Sequence, residues 1–351
     1  MQRVEIGESG RAMFAKILIN EMFKVQPGET LVITEDAGSD AETVTSIEEA
    51  ANQAGALALV IRVPQAEHDG QAGMDKWPSE ALIAALSKVD IWIEAQSIVM
   101  LYSDIWETVL AKNKTIRYLV IGETEISSLI RTFTGFSIGA MKRLLQKVRQ
   151  LIVHSSKVRI TSENGTDVSY QINPNYTFDF DEGDFSKPKF GTAPGYVNVV
   201  PKIGSMNGNI VFDSLMNADV MNNENHVEFI MEEGTIKRIE GNAEAEKFRN
   251  YLASFEDANM YKISHNMIGL NPGVRKLTGN IVEDERIWGG VDFGFGHTSP
   301  MDMPPHGQEA RSHFDGVVKE VSIFLDEVQI LDRGVVCHPD LKGLASELLG
   351  E

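Results

Sequence analysis

Four short apolar runs, at 30–36 (TLVITED), 56–63 (ALALVIRV), 90–95 (DIWIEA) and 115–122 (TIRYLVIG), leave this chain few architectures to choose from. Each is close to continuous rather than alternating, the pattern of a strand buried on both faces. Around them apolar residues recur at helical spacing. Residues 10–24 place Met13, Phe14, Ile17, Leu18, Met22 and Phe23 along one side of a helix that stops before Gln26-Pro27-Gly28-Glu29. Further helices are predicted from about 40 to 54, with Ser39 as N-cap, and near 79–87, 104–112 and 139–154. Strand and helix in alternation imply a parallel sheet covered by helices on both faces. No glycine-rich phosphate loop follows any of these strands, and TEDAGSD (34–40) carries acids where a phosphate would need N–H donors, so no nucleotide cofactor is expected. The segment 121–135, with Glu123, Thr124, Arg131 and Thr132, reads either as a wall of a substrate cleft or as a helix cap and solvated turn.

From Lys157 the rhythm changes to hairpins. KVRITSENGTDVSYQI (157–172) turns at Asn164-Gly165 between alternating runs, and HVEFIMEEGTIKRIEG (226–241) turns at Glu233-Gly234. Short strands and Gly/Pro turns fill 190–214, and a helix is predicted near 243–254. The chain therefore reads as an α/β domain, 1–155, followed by a mainly antiparallel β domain, 156–351, with a site expected in the cleft between them.

At 351 residues the chain is long enough for two ordinary cores. A formal charge of −19 repels nucleic acid and anionic lipid. Cys337 is the single cysteine, which excludes an intrachain disulfide, a cysteine zinc site and an iron–sulfur cluster, and fits a reducing cytoplasm. No apolar run is long enough for a membrane span, and the N-terminus lacks the pattern of a secretion signal.

Five of the eight histidines fall at 265 or beyond, among Gly and Pro turns and the acids Asp284, Glu285, Asp292 and Asp315. His313-Phe314-Asp315 lies in ARSHFDGVVKEVSIFLDEV, which reads as a strand. Period-two alternation puts His313 and Asp315 on one face, about 6–7 Å apart along the strand. One metal ion can bridge that distance. Imidazole and carboxylate suit Fe(II), Mn(II) or Zn(II), and a second imidazole, for which His265 is the preferred candidate, would complete a facial triad with open positions.

Three further pieces, SENGTDVSY, APGYVNVVPKIGSMNGNIVFD and ISHNMIGLNP…EDERIWGGVDFGFG…SHFD, together with the QPGE at 26–29, resemble the M29 aminopeptidase family of metallopeptidases over most of the chain. The resemblance implies that family's fold. The family's peptidases hold two metal ions with two glutamates, a histidine and a terminal H-x-D. Set against that pattern, the first glutamate falls near Tyr196, the second on His265, and the histidine near Asp292 or Gly290; His313 and Asp315 alone are retained. Too few ligands remain to offset the repulsion of two bridged ions. What remains, His265, His313 and Asp315, looks like the branch of the fold that carries the 2,5-dihydroxypyridine 5,6-dioxygenases, mononuclear Fe(II) enzymes of pyridine and nicotinate catabolism. The order also matters, because H-x-D before the second His is usual in cupin and 2-oxoglutarate oxygenases.

That resemblance implies Fe(II), dioxygen and a dihydroxylated N-heterocycle, with 2,5-dihydroxypyridine opened to N-formylmaleamate. His297 is the expected acid or base, with Arg286 and Ser299 orienting the substrate. Tyr196 either lines the pocket or fills the space of a lost second metal. His306, in PMDMPPHGQ, reads as part of a lid or as an idle loop histidine. The dioxygenases of that branch carry extra cleft histidines from mid-chain, whereas DFSKPKFGTAPG (184–195) has none, so another hydroxylated N-heterocycle or a dihydroxylated benzene ring stays open as substrate. A metal-dependent aminopeptidase and a non-catalytic relative are the competing readings. A closed homo-oligomer is expected.

Overall fold

The computed structural model describes residues 8–66, 71–101, 103–122, 124–222 and 224–351. Two compact units divide the chain, one made of 1–138 and 183–194, the other of 139–182 and 195–351.

The first unit begins with α1 (Glu8–Lys16), which continues as a π-helical turn, Ile17–Met22. The predicted alternation follows: β1 (Thr30–Glu35), α2 (Ala41–Gln53), β2 (Leu57–Arg62), α3 (Ser79–Leu86), β3 (Ile91–Glu94), α4 (Asp104–Lys112), β4 (Arg117–Val120) and α5 (Ile126–Phe133). The expected N-cap of α2 is displaced by one residue. Asp40 takes that role, accepting from the N–H of Glu42 at 3.2 Å and of Thr43 at 3.4 Å. Ser39 instead closes the turn before it, its hydroxyl accepting from the N–H of Asp36 at 2.9 Å.

The chain then passes through α6 (Ile138–Val153), β5 (Lys157–Thr161), β6 (Asp167–Gln171) and β7 (Phe180–Asp181) before β8 (Lys189–Gly191) adds to the first unit. There β8 pairs in parallel with β4, completing a five-stranded sheet in the order β2-β1-β3-β4-β8. Phe185 is fully buried against Phe23, ring centroids 5.2 Å apart, and its N–H donates to the carbonyl of Met22 at 3.0 Å. The units thus differ from the expected single crossing at 155/156 in two places. The helix α6 joins the second unit, where Lys142 pairs with Glu182 at 2.9 Å and Lys147 with Asp340 at 2.8 Å; the segment 183–194 joins the first. Local periodicity reports which face of a segment is apolar, not which core receives it.

The second unit continues with β9 (Tyr196–Val199), β10 (Asn207–Val211), β11 (Ser214–Leu215), β12 (Val227–Glu232), β13 (Thr235–Gly241), α7 (Ala243–Ala253), β14 (Ile263–Gly269), α8 (Ile281–Asp284), β15 (Gly290–Thr298), β16 (Gln308–Val318), β17 (Ser322–Leu325), β18 (Val328–Asp332), β19 (Val335–Val336) and α9 (Pro339–Leu349). Both predicted hairpins form, β5 with β6 and β12 with β13. Among the described residues the strands of this unit pair antiparallel, in an eight-stranded sheet (β13-β12-β10-β6-β5-β17-β18-β19) and a six-stranded sheet (β11-β16-β15-β14-β9-β7). The run expected as one strand around His313 is two. It breaks at Glu320, whose φ of 51° turns the backbone so that β16 and β17 lie in different sheets.

Period-two alternation gives the six-stranded sheet two unlike faces. Phe293, Phe295 and Phe314 are buried on one of them, Phe295 and Phe314 in a cluster with Phe229 of β12 and Phe248 of α7, and Phe293 edge-on to Phe212. Burying each ring contributes about 1.5–3 kcal/mol, so the register of β15 against β16 is strongly specified. Residues alternating with these rings point to the opposite face, and they include His313, Asp315 and Asp292.

Candidate metal centre

His265 lies on β14 and His313 and Asp315 on β16, with β15 between them. Gly294 of β15 is the Cα partner of both His265 and Asp315, and Gly296 is the partner of His313. Directly paired residues share a face, so the register brings all three side chains to one side of the sheet. The His265 ring occupies the space above Gly294. A Cβ at that position would stand 2.5 Å from Cε1 and 2.6 Å from Nε2 of the ring.

One ligand atom from each of His265, His313 and Asp315 lies within 4.8 Å of the others, the one such group of three among the described residues. The imidazoles stack at 5.1 Å between centroids. Asp315 Oδ1 is 3.0 Å from His313 Nε2 and 3.5 Å from His265 Nε2. His313 Nδ1 is 2.8 Å from the carbonyl of His297, which makes Nδ1 an N–H donor and leaves Nε2, beside Asp315, as the atom that would bind a metal ion. Two imidazoles and a carboxylate, with one tautomer fixed by the backbone, fit a single divalent cation.

The surroundings are densely charged for a buried site. Asp292, fully buried, puts Oδ2 3.1 Å from His265 Nε2, while its Oδ1 has no hydrogen-bond partner among the described residues. Glu285 and Arg286, also buried, pair with each other, and the guanidinium donates to the carbonyl of Val282 at 2.9 Å. It also lies over the Tyr196 ring, 5.1 Å from the centroid. In the metal-free protein these charges divide the two histidines. Burial holds His265 down at about 4, with Arg286 and His313 adding to the effect and Asp315 opposing it. Burial also opposes charge on His313, but Asp315, the His297 carbonyl and Glu285 outweigh it and raise that group to about 9. Glu285 is pushed up to about 7 by burial and by Asp315, against the pull of Arg286.

Of the residues singled out from sequence, His265, His313 and Asp315 converge, and Arg286 meets Tyr196. His297 serves the site through its backbone carbonyl and sits where the β15–β16 register slips, between Gly296 and Thr298. Ser299 is buried, its hydroxyl accepting from the N–H of Met301 at 3.1 Å. His306 is exposed, and His338 caps α9 by accepting from the N–H of Asp340 at 3.1 Å. Asp284 braces the chain, accepting from Ser214 Oγ at 2.8 Å and from the N–H groups of Thr278 and Gly279 at 2.7 and 3.0 Å. Thr124, Arg131 and Thr132 belong to the first unit, and Glu123 lies outside the described residues. From sequence, Asp292 stood only near the position of the family's metal-binding histidine, and Glu285 was one of two acids that could pair with Arg286, which it does. A further signal for Asp292 was its place two residues before Gly294, on the same face of the strand.

Similarity to known proteins agrees with this geometry. The family described as NicX: 2,5-dihydroxypyridine 5,6-dioxygenase matches residues 12–338. The curated 2,5-dihydroxypyridine 5,6-dioxygenase of Pseudomonas putida KT2440 is 23% identical over 350 residues, spanning 93% of this chain and 96% of that one. The solved structure of 2,5-dihydroxypyridine dioxygenase from the same organism superposes with a TM-score of 0.80 at 19% identity, covering 96% of this chain and 99% of the other. Wild-type AmpT from Thermus thermophilus gives a TM-score of 0.68 at 12% identity, over 94% and 100% of the two chains. The likeness to AmpT bears out the M29 aminopeptidase-like fold. A dioxygenase family of this kind implies a metal cofactor, and the three converging ligands are the residues that would hold it.

Proposed function

Because the chain belongs to the 2,5-dihydroxypyridine 5,6-dioxygenase family, we propose that it opens a dihydroxylated N-heterocycle with dioxygen, using one Fe(II) held by His265, His313 and Asp315. The substrate is 2,5-dihydroxypyridine, C5H5NO2. Cleaving the C5–C6 bond and adding both atoms of one O2 gives N-formylmaleamate, C5H5NO4 in its acid form, with no other reductant consumed. The observation that carries the reading is the convergence of two imidazoles and one carboxylate from β14 and β16 on one face of the sheet. A ferrous ion in such a site supplies open positions for a ring hydroxyl and for dioxygen, and a route for electrons between them.

The chain's own residues do the rest. Arg286, seated on Tyr196, sets a fixed positive charge beside the site and favours a deprotonated ring hydroxyl, with the Tyr196 ring as an apolar wall. His297 takes or returns the hydroxyl proton, and Ser299 orients the ring. The active form is a homo-oligomer in the cytoplasm, where a reducing milieu keeps the iron ferrous.

Anaerobically purified protein is expected to hold one iron per chain and to consume one O2 for each 2,5-dihydroxypyridine lost. His297→Ala should lower kcat while iron content stays at that of the wild type. Two zinc or cobalt ions per chain with release of an N-terminal residue from a small peptide would overturn the proposal in favour of a peptidase. No bound metal and no turnover would overturn it in favour of a non-catalytic relative.

A further inference from the structure

Asp292 is not accounted for by the three-ligand group. It lies on β15, two residues before Gly294, with Met267 and Val317 as its Cα partners, and is fully buried. Its Oδ2 is 3.1 Å from Nε2 of His265, the same nitrogen that stands 3.5 Å from Oδ1 of Asp315. Two carboxylates therefore approach one ring nitrogen, one from β15 and one from β16. A single N–H cannot satisfy both. The other Asp292 oxygen has no hydrogen-bond partner among the described residues.

As a piece of core architecture this arrangement is poor. An unsatisfied buried polar atom costs about 1–3 kcal/mol, and an apolar side chain of similar size would avoid that cost. The neighbouring Asp315 carboxylate adds repulsion. A divalent cation at the three-ligand group would offset that repulsion, because two carboxylates then match two positive charges. Carboxylates in the outer shell of such an ion contribute to its affinity, and their loss typically weakens metal binding roughly 10- to 100-fold.

Resting on the reading of the three ligands as a cation site, we infer that Asp292 belongs to that site, its carboxylate packed against the His265 ring and setting a second negative charge beside the ion. It acts through the field rather than through a hydrogen bond to His265, whose Nε2 faces the ion, and this separates it from the ligands themselves.

Cobalt(II) loaded anaerobically into the full-length chain is the probe, its affinity read by competition with a chelator and its ligand geometry by visible absorption. Asp292→Asn keeps the shape and removes the charge; Asp292→Ala removes both. The affinity is expected to fall roughly 10- to 100-fold in Asp292→Asn and at least as far in Asp292→Ala. The cobalt bands should shift in both, while circular dichroism and melting of the metal-free variants stay at or above the wild type. Wild-type affinity and an unchanged spectrum in both variants, with binding lost in Asp315→Asn, would overturn this inference and leave the three-ligand site standing. If Asp315→Asn also bound cobalt as the wild type does, the cation site itself would be overturned. Failure of both Asp292 variants to fold without metal would assign the residue to the core, and the inference would fall.

Discussion

Residue 294 has to be glycine for the His265 ring to stand beside His313 and Asp315. The ring of His265 fills the volume that any side chain there would need, and the nearest ring atom would be 2.5 Å from an added Cβ. Gly294→Ala is therefore expected to displace His265 and to abolish stoichiometric metal binding by elemental analysis, with the fold retained by circular dichroism. A second residue sets a pH dependence. Asp302 is pushed up to about 7 by burial and by the carboxylate of Asp179, against the opposing charge of His313. Between the ordinary carboxylate value of 3.8 and about 7, the folded protein keeps a proton that the unfolded chain releases. Stability from this group is thus complete at low pH and lost as pH rises through about 7. Asp302→Asn should melt above the wild type at pH 8, with the gap closing at pH 5, as read by thermal denaturation. Legibility in the sequence divides along the same line. His313 and Asp315 could be read from spacing, because period two is a property of the strand alone. Asp292 and Glu285 could not, because their nearness to the site comes from cross-strand register and from a turn.

Elements were legible where one short-range rule decides them. Asn164-Gly165 marks its hairpin because both turn residues tolerate positive φ, and the apolar runs of the parallel strands needed no partner to be recognised. The β16–β17 break was hidden, since Lys319-Glu320 looks like the polar half of an alternating strand. The turn between β12 and β13 puts Glu233 at φ 49° and Gly234 at φ 72°. A glutamate there carries the left-handed penalty that asparagine largely escapes. Glu233→Asn is expected to stabilise the protein by about 0.5–1 kcal/mol, measured as a shift in the urea midpoint with the m-value unchanged.

At the scale of the molecule, the order of the strands in the parallel sheet departs from a contiguous domain. The fold class was legible; the return of 183–194 was not, because KFG carries no periodicity and its place is set by pairing with β4. Without that segment, β4 becomes an edge strand and Phe23 loses Phe185. A fragment ending at residue 155 is therefore expected to aggregate or to be degraded by protease, whereas one extended through 194 should yield a protease-resistant core in which 1–138 and 183–194 are retained together. Equal resistance of the two fragments would sink the idea. Among the described residues no helix is long and apolar enough to cross a membrane.

The interrupted first unit also sets a timetable during synthesis. Its sheet cannot acquire the last strand until residue 191 has cleared the ribosome, by which time α6 and the first hairpin of the other unit are already outside. The N-terminal portion must wait, partly built, while later sequence starts to fold, so chaperone demand should peak in that interval rather than at the end of translation.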